Sequence, residues 1–175
     1  MNDGILTDLR AQDTPFCHTH VRRAWFDRHL PNLRFDSEMV VAAARPETRW
    51  QAAGVYFLVW EGMVCYVGQS RCIGARMVQY EREGRPFDGV AAIAGIPEWA
   101  RSAVEYAYIH AWNPPWNVEK TRCDDLYDQE ALQQAINGTC RSHVMPYRTP
   151  LVTREDMAWP TWRLQVREYW RSAAS

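Results

Sequence analysis

Residues 54–68 constrain the fold more than any other part of this chain. Gly-Val-Tyr-Phe-Leu-Val-Trp at 54–60 and Met-Val-Cys-Tyr-Val-Gly at 63–68 are rich in β-branched and aromatic residues, and Glu61-Gly62 between them is a turn signal. Two such runs around a short turn predict a β-hairpin. A hairpin then dictates which side chains share a face, because successive residues of a strand point to opposite sides.

The surroundings read as mostly helical. Val21, Trp25, Phe26 and Leu30 recur at helical spacing and predict a helix over 19–30, stopped by Pro31. A short helix over 37–44 ends before Pro46. A helix over 72–83 is broken by Gly84-Arg85-Pro86, and 88–94 reads as a third strand. Pro97 opens a helix to about residue 112, where Asn113-Pro114-Pro115 stops it. Further on, 124–137 and 161–172 read as helices, with 142–152 extended; residues 1–18 are poorly patterned. The expected fold class is α/β (α+β): a small three-stranded antiparallel sheet flanked by helices, with helical N- and C-terminal extensions. The expected organisation is one domain over 1–175, with a core at 50–120 and extensions at 1–49 and 121–175.

The apolar runs are too short to span a bilayer, so no membrane partner is expected. The N-terminus lacks the layout of a signal peptide, and five cysteines, an odd number, do not read as a disulfide framework. These features predict a cytoplasmic protein. A net charge of −1 speaks against a nucleic-acid binder until its distribution is considered. Residues 10–34 hold five arginines against Asp13 and Asp27, and 141–171 hold six against Glu155, Asp156 and Glu168, whereas 119–130 is acidic. All 20 basic residues except Lys120 are arginine, whose rigid fork suits phosphate, although codon bias accounts for the composition equally well.

Six features stand in a fixed order: Gly54-Val55-Tyr56, Tyr66-Val67-Gly68, Arg76, Tyr80, Glu105 and Asn117. Each is ordinary by itself, since a tyrosine on a strand is usually only a strand residue and a helical arginine is usually solvated. Together, residues 54–117 resemble the GIY-YIG nuclease family. Val55 and Val67 replace the isoleucines of its two motifs, and Arg76 stands ten residues after Tyr66, as the family's arginine does. Tyr80 falls where members carry His or Tyr, and Glu105 lies nine residues before Pro114 and twelve before Asn117, as in the family's Glu-(helix)-Pro-x-x-Asn signature. Gln69 departs from the lysine that repair members often carry.

The resemblance implies a divalent-metal-dependent DNA endonuclease, with Mg²⁺ or Mn²⁺ as cofactor and DNA as partner. It implies a catalytic set of Tyr56, Tyr66, Arg76, Tyr80 and Glu105, with Glu105 as the metal ligand and Gly54, Gly68 and Asn117 as support. The chemistry agrees. A single carboxylate suits a Mg²⁺ that keeps most of its waters, and Arg76 and Tyr80, four apart on a helix, address one phosphate. Tyr56 is the family's candidate for orienting or deprotonating water; a free tyrosine has a pKa of about 10, so a role as base requires a large downward shift. Asn117 reads as a cap on backbone near the tyrosine strand, His110 as structural, and Trp112 and Trp116 as packing residues. The short chain favours a restriction-like or phage/mobile-element type, a homodimer if both strands are cut. The alternative is a non-catalytic nucleic-acid-binding module or structural component on the same fold.

Register adds a condition independent of the family. A clean two-residue turn at Glu61-Gly62 pairs Tyr56 with Val67 and sends Tyr66 to the opposite face. Convergence of the two tyrosines requires an odd-length loop, for example over 61–63, or a bulge, so that Leu58 faces Tyr66. Cys17/His20 and Cys140/His143 have the internal spacing of half-sites for a Cys₂His₂ zinc centre joining the flanks; buried cysteines and surface histidines are the commoner reading.

The flanking arginines, with Arg71, are the expected DNA contacts. Replacing the Arg22/Arg23 and Arg163/Arg167 pairs by alanine is expected to weaken DNA binding and flatten its salt dependence. Unchanged affinity and salt slope would assign these arginines to local solvated pairing.

Overall fold

The 54–68 segment folds as the hairpin its composition predicts, and the rest of the sheet forms around it. A computed structural model describes residues 4–9, 19–46, 50–85 and 87–117. The strands are β1 (Ile5–Asp8), β2 (Gly54–Trp60), β3 (Met63–Ser70) and β4 (Gly89–Ala94). The helices are α1 (Thr19–His29), α2 (Ser37–Ala43), α3 (Ile73–Arg82) and α4 (Glu98–Trp112), with a 3₁₀ turn at Leu30–Leu33. The class is α+β, as expected.

The sheet has four strands rather than the expected three, in the order β1-β4-β2-β3. β2 pairs antiparallel with both β3 and β4, while β1 adds parallel to β4, matching Ile5 with Ala92 and Asp8 with Ala94. Ile-Leu-Thr-Asp is too short to show alternation, and its parallel partner is distant in sequence, so no local signal marks the strand. The N-terminal extension is thus not purely helical: it supplies one edge of the sheet.

Alternation along the strands separates two apolar layers. Val55, Phe57, Val59, Val67, Ala91 and Ile93 face α4 and the N-terminal helices, where Trp25, Phe26, Leu33 and Val40 join the same core. Tyr56, Leu58, Trp60, Val90 and Ala92 face the other way, against Ile73, Met77 and Tyr80 of α3. Each fully buried large apolar side chain contributes about 1.5–3 kcal/mol, so these layers, rather than helix propensity, hold the helices in place. No helix among the described residues is long and apolar enough to cross a membrane.

Two polar devices fix α4. Tyr108 is fully buried; its hydroxyl donates to the Leu33 carbonyl and accepts from the Phe35 N–H at 3.1 Å, tying α4 to the N-terminal segment. At the other end Asn113 takes a left-handed conformation (φ 49°), and its N–H bonds the Ile109 carbonyl at 2.8 Å. Asn113-Pro114-Pro115 stops the helix, as the sequence predicts, and the chain then turns back toward β3. Tyr108→Phe leaves the Leu33 carbonyl and the Phe35 N–H buried without a partner. It is expected to cost about 1–3 kcal/mol in urea unfolding; unchanged stability would contradict this role.

Candidate active site

The site begins with the register of β2 and β3. Glu61 and Gly62 both have positive φ, 50° and 73°, the two-residue turn whose twist matches that of a hairpin. Trp60 pairs with Met63 and Val59 with Val64, and then the register shifts: Leu58 pairs with Tyr66 and Tyr56 with Gly68. Cys65 is the extra residue. Of the two devices the sequence allowed, the chain uses the bulge and not the longer loop, and Tyr56 and Tyr66 lie on one face. The buried Cys65 thiol donates to the Leu58 carbonyl at 3.2 Å, and the Cys65 carbonyl accepts the Trp116 N–H at 3.0 Å.

Tyr80 of α3 completes a triad of phenols. The Tyr56 and Tyr80 hydroxyls are 2.9 Å apart, and ring centroids are separated by 6.1 Å (Tyr56–Tyr66), 6.4 Å (Tyr56–Tyr80) and 6.3 Å (Tyr66–Tyr80). Tyr56 and Tyr80 are buried; Tyr66 is half-buried. The two motif glycines are points of close approach. A Cβ at Gly68 would lie 2.5 Å from the Tyr56 hydroxyl and 2.6 Å from the Tyr66 ring, and one at Gly54 would lie 2.1 Å from the Ile93 carbonyl oxygen.

Arg76 shares the α3 face with Tyr80, as its spacing predicts, its guanidinium 5.9 Å from the ring centroid. Arg85 lies closer, 3.9 Å over the same ring, and pairs with Glu83 at 2.7 Å. Sequence reasoning missed Arg85 because it sits in the Gly-Arg-Pro break, where no periodicity assigns a face. Burial pushes the Tyr56 hydroxyl well above the ordinary tyrosine range, and the neighbouring Tyr66 and Tyr80 push the same way, against Arg76. Tyr66 is raised by burial, then by Tyr80 and the Glu105 carboxylate, against Arg85. Both shifts run opposite to the one a tyrosine base requires. At neutral pH these hydroxyls keep their protons.

Glu105 reaches this region from α4 at the β3 edge. It is 6% exposed and accepts a hydrogen bond from Gln69 Nε2 at 2.9 Å; the same nitrogen is 2.9 Å from Ser102 Oγ. The residue that departs from the family pattern therefore holds the carboxylate the family pattern singles out. Neither Gln69 nor Ser102 was foreseen: a β3 partner for Glu105 becomes visible only when α4 is laid across that strand. Glu105 and the Ser102 hydroxyl offer oxygen donors of the kind that suits a hard, largely hydrated cation such as Mg²⁺, while the Gln69 amide N–H faces both of them. Among the described residues no group of three or more His, Cys, Asp or Glu is gathered to hold a metal ion.

Asn117 supports the strand as expected. Its side chain accepts from the Val67 N–H at 2.9 Å and donates to the Val67 carbonyl at 2.7 Å, occupying the open edge of β3. Trp112 packs on Phe57 and Tyr108, Trp116 lies 5.6 Å from Trp60, and His110 stacks on Tyr106 at 3.9 Å. Other candidates lie apart from the phenols: Arg22 sits 5.5 Å over Trp99, and Arg71 pairs with Glu98. Cys17, Cys140, His143, Arg163 and Arg167 lie outside the described residues, as do the side chains of His20 and Arg23. No family model, curated protein or solved structure matches this chain.

Gly68→Ala is expected to push the Tyr56 and Tyr66 rings apart and cost about 1–3 kcal/mol. Unmoved tyrosine ring resonances in NMR, with unchanged unfolding, would contradict the packing described.

Proposed function

We propose that this chain is a divalent-metal-dependent DNA endonuclease of the GIY-YIG type. One observation carries the reading: the Cys65 bulge, which turns Tyr66 to the face of Tyr56, where Tyr80 and Arg76 of α3 pack, with the buried Glu105 near enough to act electrostatically on Tyr66. Hydrolysis of a phosphodiester needs an oriented water, a path for its proton and positive charge at the oxygens that gain negative charge. Tyr66, the accessible phenol, aligns the water or a phosphate oxygen by hydrogen bonding. The Tyr56–Tyr80 hydrogen bond fixes the two buried phenols that pack against Tyr66 and so holds its orientation. Arg76 supplies a fixed positive charge to the phosphate. Glu105, with Gln69 and Ser102 around it, would hold Mg²⁺ or Mn²⁺; when bound, the ion would stabilise the developing charge on the phosphate and the leaving oxygen.

Incubation with supercoiled, linear and single-stranded DNA tests the proposal. Cleavage is expected with Mg²⁺ and not with EDTA, and Arg76→Ala is expected to lower kcat about 10²–10³-fold. Glu105→Ala is expected to abolish cleavage. Cleavage that survives Glu105→Ala would overturn the mechanism, and binding without cleavage of any substrate would favour the non-catalytic module.

A further inference from the structure

Beside the Gln69–Glu105 contact opens a cleft of about 420 Å³, lined by Gln69, Ser70, Arg71, Arg76, Glu98, Arg101 and Ser102. Three arginines and a single carboxylate line it, and Arg76 bonds the Gln79 side chain rather than that carboxylate. The unusual member is Arg101, which is only 5% exposed. Its nearest carboxylate oxygen, on Glu98, is 3.9 Å away, and that exposed side chain already pairs with Arg71. Its Nε is buried with no hydrogen-bond partner among the described residues. Arg101 also lies in the first turn of α4, where the helix dipole opposes a cation. A buried arginine is normally paired or forked to a carboxylate, because its desolvation is otherwise uncompensated. Burial lowers its pKa, with Glu98 opposing that shift and Arg71 adding to it, as expected of a cation short of negative charge.

We propose that Arg101 is the floor of a phosphate-binding subsite, which takes a backbone phosphodiester next to the one being cut. The partners are those a phosphate needs: the Arg101 and Arg71 guanidiniums, with the Ser70 and Ser102 hydroxyls as further donors. Arg76 lines this cleft and also packs near Tyr80, so it lies between the subsite and the phenols. Glu98 competes for the same cations, and an incoming phosphate displaces it from Arg71. The choice of a nucleic-acid backbone rests on the nuclease reading; the phosphate chemistry of the cleft does not.

Two probes separate these claims. Inorganic phosphate, titrated against chloride at matched ionic strength, is expected to shift the amide resonances of Ser70, Arg101 and Ser102 in the full chain. The shifts are expected to vanish in Arg101→Met, with no loss of Tm, since an apolar side chain replaces an under-paired buried charge. In a Glu105→Ala background, Arg101→Met is expected to weaken DNA binding about tenfold and to reduce the salt slope by about one phosphate contact. Glu98→Gln, an exposed change that does not threaten folding, is expected to tighten phosphate binding several-fold. Phosphate binding that depends on Arg101 in a chain that neither binds nor cuts DNA would uphold the subsite and reject the nuclease. An Arg101→Met chain with unchanged phosphate shifts, DNA affinity and salt slope would overturn the subsite. If Arg101→Met does not fold, Glu98→Gln decides, and unchanged phosphate affinity there would overturn it.

Discussion

A strand pair closed by a two-residue turn has one choice left, its register, and in this hairpin Cys65 makes it. Without the extra residue Tyr66 rotates to the face that packs on α4, and its hydroxyl enters an apolar layer where a missing hydrogen bond costs about 1–3 kcal/mol. With it, Tyr66 joins Tyr56 under α3. The bulge is held on three sides: the Cys65 thiol on the Leu58 carbonyl, the Trp116 N–H on the Cys65 carbonyl, and Asn117 on both backbone groups of Val67. The last two come from the turn after α4. The same contacts that fix the register therefore fix where α4, and Glu105 on it, lies along β3.

Charge is arranged around that frame in an unbalanced way. Glu105 is buried and held by a neutral amide, whereas Arg101 is buried with a distant and shared carboxylate. Burying an ion costs several kcal/mol unless a counter-charge is close. Arg101, whose Nε has no hydrogen-bond partner among the described residues, is the group left short of negative charge. A phosphate beside Arg101, as proposed, would supply that charge. The phenols stay protonated and polar without adding charge, because burial and their mutual proximity raise their pKa values.

Much of this was legible in the sequence. The hairpin, α3 and α4 follow from composition and periodicity, because each is a local pattern with its own stop signal. The requirement that Leu58 face Tyr66 followed from parity alone. How the chain meets it did not, because a bulge leaves no residue-type signature at Cys65. β1 escaped because four residues pairing in parallel with a distant strand have no local mark. Gln69, Arg85 and Arg101 escaped for a related reason: their partners lie on other elements, and a polar residue's role is set by what faces it.

The register itself can be measured directly. Val67 turns its N–H and carbonyl outward to Asn117, so it faces Phe57 as a non-hydrogen-bonded pair, the arrangement that brings opposing Cα atoms to about 4.5 Å. NMR should show a strong Hα–Hα contact between Phe57 and Val67, with ring contacts among Tyr56, Tyr66 and Tyr80. An Hα–Hα contact between Phe57 and Tyr66 instead would mean an unbulged hairpin with its two tyrosines on opposite faces, and would contradict the site.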